Sequence, residues 1–141
     1  MPHPTVMLVG SVQDDHEMYG AYLRGSAFAV IAVDHTAEAL ACATAVDVVV
    51  TDIRVRGFSD GLGLVRQLRR DNATKGIPII VLTACAFESD RRAAERAGCD
   101  GFLAKPCLPD ALLTEIRRVL ARRLSRRLPS RTGIRPKRRA S

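Results

Sequence analysis

Val46-Asp47-Val48-Val49-Val50-Thr51-Asp52 is the stretch that decides the fold. It is an apolar, β-branched run that is too short for a helix of ordinary length, and it ends in a carboxylate. A continuous rather than alternating apolar run marks a strand covered on both faces. The reading therefore places a strand over Val46–Thr51 and sets Asp52 at its exit. Four further runs have the same character: Thr5–Val9, Phe28–Val33, Ile77–Leu82 and Gly101–Ala104. Helical patterns lie between them. Asp14–Arg24 carries Met18 and Tyr22 four residues apart, and Thr36 is placed to cap a helix through Ala37–Thr44. Leu62–Arg70 puts Leu64, Val65 and Leu68 on one side and leaves Arg66, Arg69 and Arg70 to water. Ser89–Ala97 ends at Gly98, a residue suited to the left-handed position that closes a helix. Pro109 fits the first turn of a last helix, which turns Leu112, Leu113, Ile116, Val119 and Leu120 inward.

Strands alternating with helices over short joins predict an α/β domain, a parallel sheet with helices on both faces. Ligands of such sheets bind beyond the carboxyl ends of the strands, where the strand order reverses. The residues to weigh for chemistry are then Gly10 and Ser11, Asp52 and Ile53, Thr83 and Ala84, and Lys105. One carboxylate, one hydroxyl and one ammonium would converge on a common rim. A phosphoryl group on Asp52 would need a cation and hydrogen-bond donors for its oxygens, and Lys105 and Thr83 could supply them.

Composition supports one domain. The chain has 141 residues, 47% of them apolar and 26% charged. Its net charge of +7 is unevenly spread: nine Lys or Arg and no acid lie in residues 121–141, and residues 1–120 hold 13 bases against 15 acids. We read residues 1–120 as the folded domain and 121–141 as a basic, disordered tail whose start could extend the last helix. No apolar run approaches the ~20 residues of a membrane span. The N-terminus lacks the basic flank of a secretory signal, so a cytoplasmic location is expected. Cys42, Cys85, Cys99 and Cys107 show no C-x-x-C spacing and read as reduced thiols. There is no Gly-rich phosphate loop and no nucleophile–base pair, and His3, His16 and His35 are scattered, so catalysis on a small metabolite is not expected.

The segments Asp47-Val48-Val49-Val50-Thr51-Asp52, Asp60-Gly61-Leu62, Ile77-Pro78-Ile79-Ile80-Val81-Leu82-Thr83-Ala84 and Ala97-Gly98-Cys99-Asp100-Gly101-Phe102-Leu103-Ala104-Lys105-Pro106 together resemble the receiver domains of two-component response regulators, of the chemotaxis-regulator kind. Each segment alone is weak, but their order and spacing are specific, and the resemblance covers about residues 5–120. It implies a flavodoxin-like (βα)5 fold with strand order 2-1-3-4-5. It also implies that Asp52 is the phosphoacceptor for a histidine kinase or phosphotransfer protein. By the same resemblance Thr83 and Lys105 bind the phosphoryl group, and Phe102 is the aromatic switch whose burial follows Thr83. The Lys105–Pro106 bond is cis in such domains. A stand-alone receiver would signal to a downstream protein in trans, and the face from the fourth to the fifth helix could pair two copies as a homodimer.

The sequence departs from the family where the metal should sit. Receivers carry two acids after the first strand that bind Mg²⁺ with the phosphoacceptor. Here Gly10 and Ser11 take those places. Asp52 and the main-chain carbonyl of Arg54 then make a poor magnesium site, because that ion takes at least one or two carboxylates along with its waters. Asp14-Asp15 would serve only if the first loop were shifted, and the same acids suit a helix N-terminus. Arg54 or Arg56 could bring positive charge to Asp52 instead. Two alternatives follow: a pseudo-receiver that binds a protein partner without phosphorylation, and a nucleic-acid-binding protein that uses its basic tail. That tail could equally meet an anionic surface, and a solvated end has the same composition.

Overall fold

The computed structural model describes residues 3–10, 13–53, 62–84 and 86–127. Five strands, β1 (Thr5–Val9), β2 (Ala29–Val33), β3 (Val48–Thr51), β4 (Ile79–Thr83) and β5 (Gly101–Ala104), form one parallel sheet. Its order is β2-β1-β3-β4-β5, as the resemblance implies. The helices are α1 (Gln13–Gly25), α2 (Thr36–Cys42), α3 (Leu62–Arg70), α4 (Glu88–Ala97) and α5 (Pro109–Arg127). One 3-10 turn, Ala43–Ala45, follows α2.

The valine run is apolar throughout because both of its faces are covered. Val48 and Val50 join Val6, Leu8, Ile80 and Leu82 against Tyr19 and Leu23 of α1 and Leu112, Ile116 and Val119 of α5. Val49 points the other way, with Met7, Val9, Ile79 and Val81, onto Leu64, Val65 and Leu68 of α3 and Ala94 of α4. Alternate residues of each strand thus feed two cores, one on each side of the sheet. Burying a Leu or Val side chain contributes about 1.5–3 kcal/mol, so these two layers provide most of the drive to fold.

Several element boundaries differ from expectation, each for a local reason. β4 begins at Ile79, not Ile77: the Ile77 N–H closes a turn onto the Thr74 carbonyl, and Pro78 has no N–H. It extends to Thr83, which pairs with Ala104. β3 begins at Val48 because Val46 closes the 3-10 turn by bonding the Ala43 carbonyl. β2 begins at Ala29, although Phe28 is buried as expected. Thr36 does not cap α2. The cap is His35, whose Nδ1 accepts the Ala37 N–H at 3.1 Å, and Thr36 is buried in the first turn. The inward pair on α1 is Tyr19 and Leu23, while Met18 and Tyr22, one residue earlier, are exposed. Tyr19 tolerates burial because its hydroxyl donates to the Cys107 carbonyl at 2.7 Å.

Gly98 ends α4 at φ +113°, as its position after Ala97 suggests. The last helix continues to Arg127, into the stretch that begins the basic tail. No helix among the described residues is long and apolar enough to cross a membrane.

Cys42, Cys99 and Cys107 are free thiols, and Cys85 lies outside the described residues. Burial, reinforced by the neighbouring Asp100 and Glu95 carboxylates, pushes the Cys99 thiol up to about 11. At pH 8 its thiolate fraction is then roughly a hundredfold below that of an ordinary thiol. We expect Cys99 to alkylate with iodoacetamide about a hundred times more slowly in the folded chain than after denaturation, read by peptide mass. Equal rates would contradict this environment.

Candidate functional site

The strand ends bring the chemistry together. Thr51 pairs with Val81, so Asp52 is one residue beyond the ladder between β3 and β4. Thr83 is the last residue of β4 and pairs with Ala104, which sets Lys105 one step past β5. Backbone bonds hold these exits in place: the Asp52 N–H donates to Val9 O at 3.1 Å, and the Lys105 N–H to Thr83 O at 2.9 Å.

The side chains converge. The Thr83 hydroxyl donates to Asp52 Oδ1 at 2.7 Å. The Lys105 ammonium lies 3.2 Å from Asp52 Oδ2, as hydrogen-bond donor and ion-pair partner. The Asp52 and Lys105 side chains are 16% and 18% exposed, and Thr83 is fully buried. A carboxylate so withdrawn from water needs a counter-charge and donors, and it has both here. Enough of it remains accessible for a reacting group to approach.

Phe102 is 8% exposed and packs in the core layer shared by α3 and α4. The Arg91 guanidinium of α4 sits over its ring, 4.9 Å from the centroid. Sequence reading had passed over Arg91, since nothing in a solvent-facing helix position marks it as the cover of a ring eleven residues on. The Lys105–Pro106 peptide is cis. Beside Lys105 lies an apolar groove of about 670 Å³ lined by Met18, Tyr19, Pro106, Cys107 and Leu108. It too escaped the sequence reading, because its walls come from helix α1 and from the loop after β5.

The magnesium site of the family does not fit the residues described. Gly10, just past β1, brings no carboxylate to stand beside Asp52, and the Lys105 ammonium already supplies a positive charge there. Among the described residues no group of three or more His, Cys, Asp or Glu could hold a metal ion. Ser11, Arg54, Arg56 and the Asp60-Gly61 pair lie outside the described residues. Asp14 and Asp15 stand in the first turn of α1, and their side chains lie outside the description as well.

A family model for the response regulator receiver domain matches residues 6–117. Transcriptional regulatory protein GltR of Pseudomonas aeruginosa is 31% identical over 120 residues, which cover 84% of this chain and 49% of GltR. The phosphate regulon transcriptional regulatory protein PhoB of the same organism is 30% identical, over 84% of this chain and 52% of PhoB. The chain thus spans about half the length of these curated relatives. A solved structure described as a response regulator, from Chloroflexus aurantiacus, superposes with a TM-score of 0.79 at 32% identity, over 86% of this chain and 99% of that one. The receiver domain of the sensor histidine kinase PA1611 from Pseudomonas aeruginosa, solved with a magnesium ion in its active-site cleft, gives 0.77 at 27% identity, over 84% and 98%. With its strand order, its three converging side chains and this match over residues 6–117, the chain belongs to the response regulator receiver domains of two-component systems.

Proposed function

We propose that Asp52 is a phosphoacceptor and that the domain passes its signal to a partner protein through the surface around Phe102. The observation that carries this reading is the Asp52 carboxylate held between the Thr83 hydroxyl and the Lys105 ammonium. In the reaction an Asp52 oxygen attacks the phosphorus of a phosphohistidine on a kinase or phosphotransfer protein. The P–N bond breaks, its electron pair stays on the imidazole nitrogen, and a P–O bond forms. Lys105 then faces the negative phosphoryl oxygens and Thr83 donates to one of them. The groove of Met18, Tyr19 and Leu108 lies next to Lys105, where an apolar helix of the phosphodonor could seat its reactive histidine. Lys105, rather than a caged divalent ion, supplies the counter-charge in this scheme. The partner would read the face that α4, β5 and α5 build around Phe102.

A second reading has an observation of its own. Thr83 already bonds the unmodified Asp52, and Phe102 is already buried under Arg91. A receiver so arranged would present its partner face without phosphorylation, as a pseudo-receiver. One experiment separates the two: incubation of the wild-type chain and Asp52→Asn with acetyl phosphate, with and without Mg²⁺, followed by intact mass. The first reading expects one added phosphoryl group on the wild type and none on Asp52→Asn. No adduct on the wild type, even with a cognate kinase, leaves the second reading. An adduct that survives in Asp52→Asn means that another residue accepts the group.

A further inference from the structure

The rim opposite Asp52 has its own cleft, and it is basic. The strands begin there and helices α3 and α4 end there. The cleft measures about 600 Å³ and is lined by Arg69, Asn72, Lys75, Gly98, Asp100 and Arg123. Its single lining carboxylate, Asp100, is matched by Arg69 at 2.7 Å and also accepts the Ile79 N–H. Lys75 and Asn72 are exposed at its mouth. Arg123 is fixed at its lip, donating to the Asp47 carbonyl at 3.1 Å. Around the cleft, Asp47 and Asp71 accept the Thr5 and Ala73 N–H groups and keep their charge, Glu95 lies near Cys99, and Glu115 is paired with the Arg118 guanidinium.

The positive charge does not stop at the cleft. Beyond the Arg118–Glu115 pair, Arg117, Arg122 and Arg123 follow along α5, and none of the residues from Ala121 to Ser141 is acidic, while nine are Lys or Arg. From Arg117 to Arg127 the helix advances about 15 Å at 1.5 Å per residue. That length is about four phosphate steps of a duplex strand at 3.4 Å of rise each. A lone small anion would be satisfied by the cleft alone, but this track suits a linear polyanion. Among the described residues the exposed apolar side chains Met18, Phe87 and Leu108 sit at the Asp52 end, and Leu124 is the one exposed large apolar side chain on the basic stretch of α5, too small a foothold for a bilayer.

We propose that this cleft and the adjoining face of α5 grip the phosphate backbone of a nucleic acid, with one phosphate seated between Lys75, Arg123 and the Asn72 amide. The contact reads charge and not bases, so affinity should depend strongly on salt and weakly on sequence. The site is remote from Asp52 and does not depend on how Asp52 is used.

The test is fluorescence anisotropy of labelled duplex DNA, single-stranded DNA and RNA with the full chain. Four neutralised phosphates predict about a hundredfold loss of affinity between 50 and 200 mM salt. Lys75→Glu and Asn72→Asp, both at exposed positions, should each weaken binding about tenfold or more, Lys75→Arg should restore it, and Asp52→Asn should leave it unchanged. Circular dichroism of each variant confirms that the fold is retained. The proposal is overturned if Lys75→Glu binds as the wild type does while a full-length Arg131→Glu, Arg135→Glu, Lys137→Glu variant loses binding, for then the tail acts alone. It is overturned equally if no nucleic acid binds at 50 mM salt, or if phosphatidylserine vesicles bind and nucleic acids do not.

Discussion

Lys105→Met is expected to slow the proposed phosphoryl transfer to Asp52 by about 10²–10³-fold, the usual cost of removing a donor aimed at developing charge. The argument starts from charge. Transfer gathers negative charge on the phosphoryl oxygens next to a carboxylate that is itself only 16% exposed. The receiver domain of PA1611 has a magnesium ion in its active-site cleft, and in this chain Gly10 offers no carboxylate to hold one. Lys105, 3.2 Å from Asp52 Oδ2, is then the cation in place before the reaction starts. Methionine keeps most of the apolar stem and removes the ammonium, so the fold should persist while the chemistry suffers. The measurement is the rate of mass gain with acetyl phosphate, compared with Thr83→Ala, where a neutral hydroxyl is lost and a smaller drop is expected. A wild-type rate in Lys105→Met would place the counter-charge elsewhere, and Arg54 or Arg56 would become the residues to change.

The sheet and the site were legible for the same reason. When a strand is covered on both faces its residues are all apolar, so Val48-Val49-Val50 and Ile79-Ile80-Val81-Leu82 stand out, and the polar residue that ends each run stands at a known rim. Asp52, Thr83 and Lys105 could be named because each stands at, or just past, the end of such a strand. What stayed hidden depends on which way a helix turns or on contacts between distant segments. Met18 and Tyr22 have the same four-residue spacing as Tyr19 and Leu23, and it is the apolar layer beneath α1, with the Cys107 carbonyl 88 residues on to take the Tyr19 hydroxyl, that receives the second pair. His35 precedes Thr36, and both types can cap; the structure chooses His35 because Thr36 is packed into the first turn. Arg91 over Phe102 and the basic cleft at the far rim are likewise products of packing, with no local pattern to announce them.

Arg69 shows how far a side chain read as solvent-facing can be absorbed by the fold, and its loss should have the largest effect on stability of any single change at this rim. Its Nε donates to Gly98 O at 2.9 Å. Nη1 donates to Lys75 O at 2.9 Å and to Ile77 O at 2.6 Å, and Nη2 to Asp100 Oδ2 at 2.7 Å. One guanidinium thus ties the end of α3 to the approach to β4 and to the turn between α4 and β5. Arg69→Ala would leave those carbonyls and the Asp100 carboxylate short of a donor, in a setting where the arginine side chain is 21% exposed. Breaking a buried pair of this kind costs about 3–5 kcal/mol, and partial solvation here lowers the expectation to about 3 kcal/mol. For a domain of this size that amounts to a fall in Tm of about 10–15 °C. Arg69→Lys should recover little of it, because a single ammonium cannot reproduce the fork that spans all four acceptors. Thermal unfolding followed by circular dichroism decides the matter: a fall below about 3 °C in Arg69→Ala, or full recovery in Arg69→Lys, would show that water replaces these bonds at small cost and that the three segments are held together by their apolar layers alone.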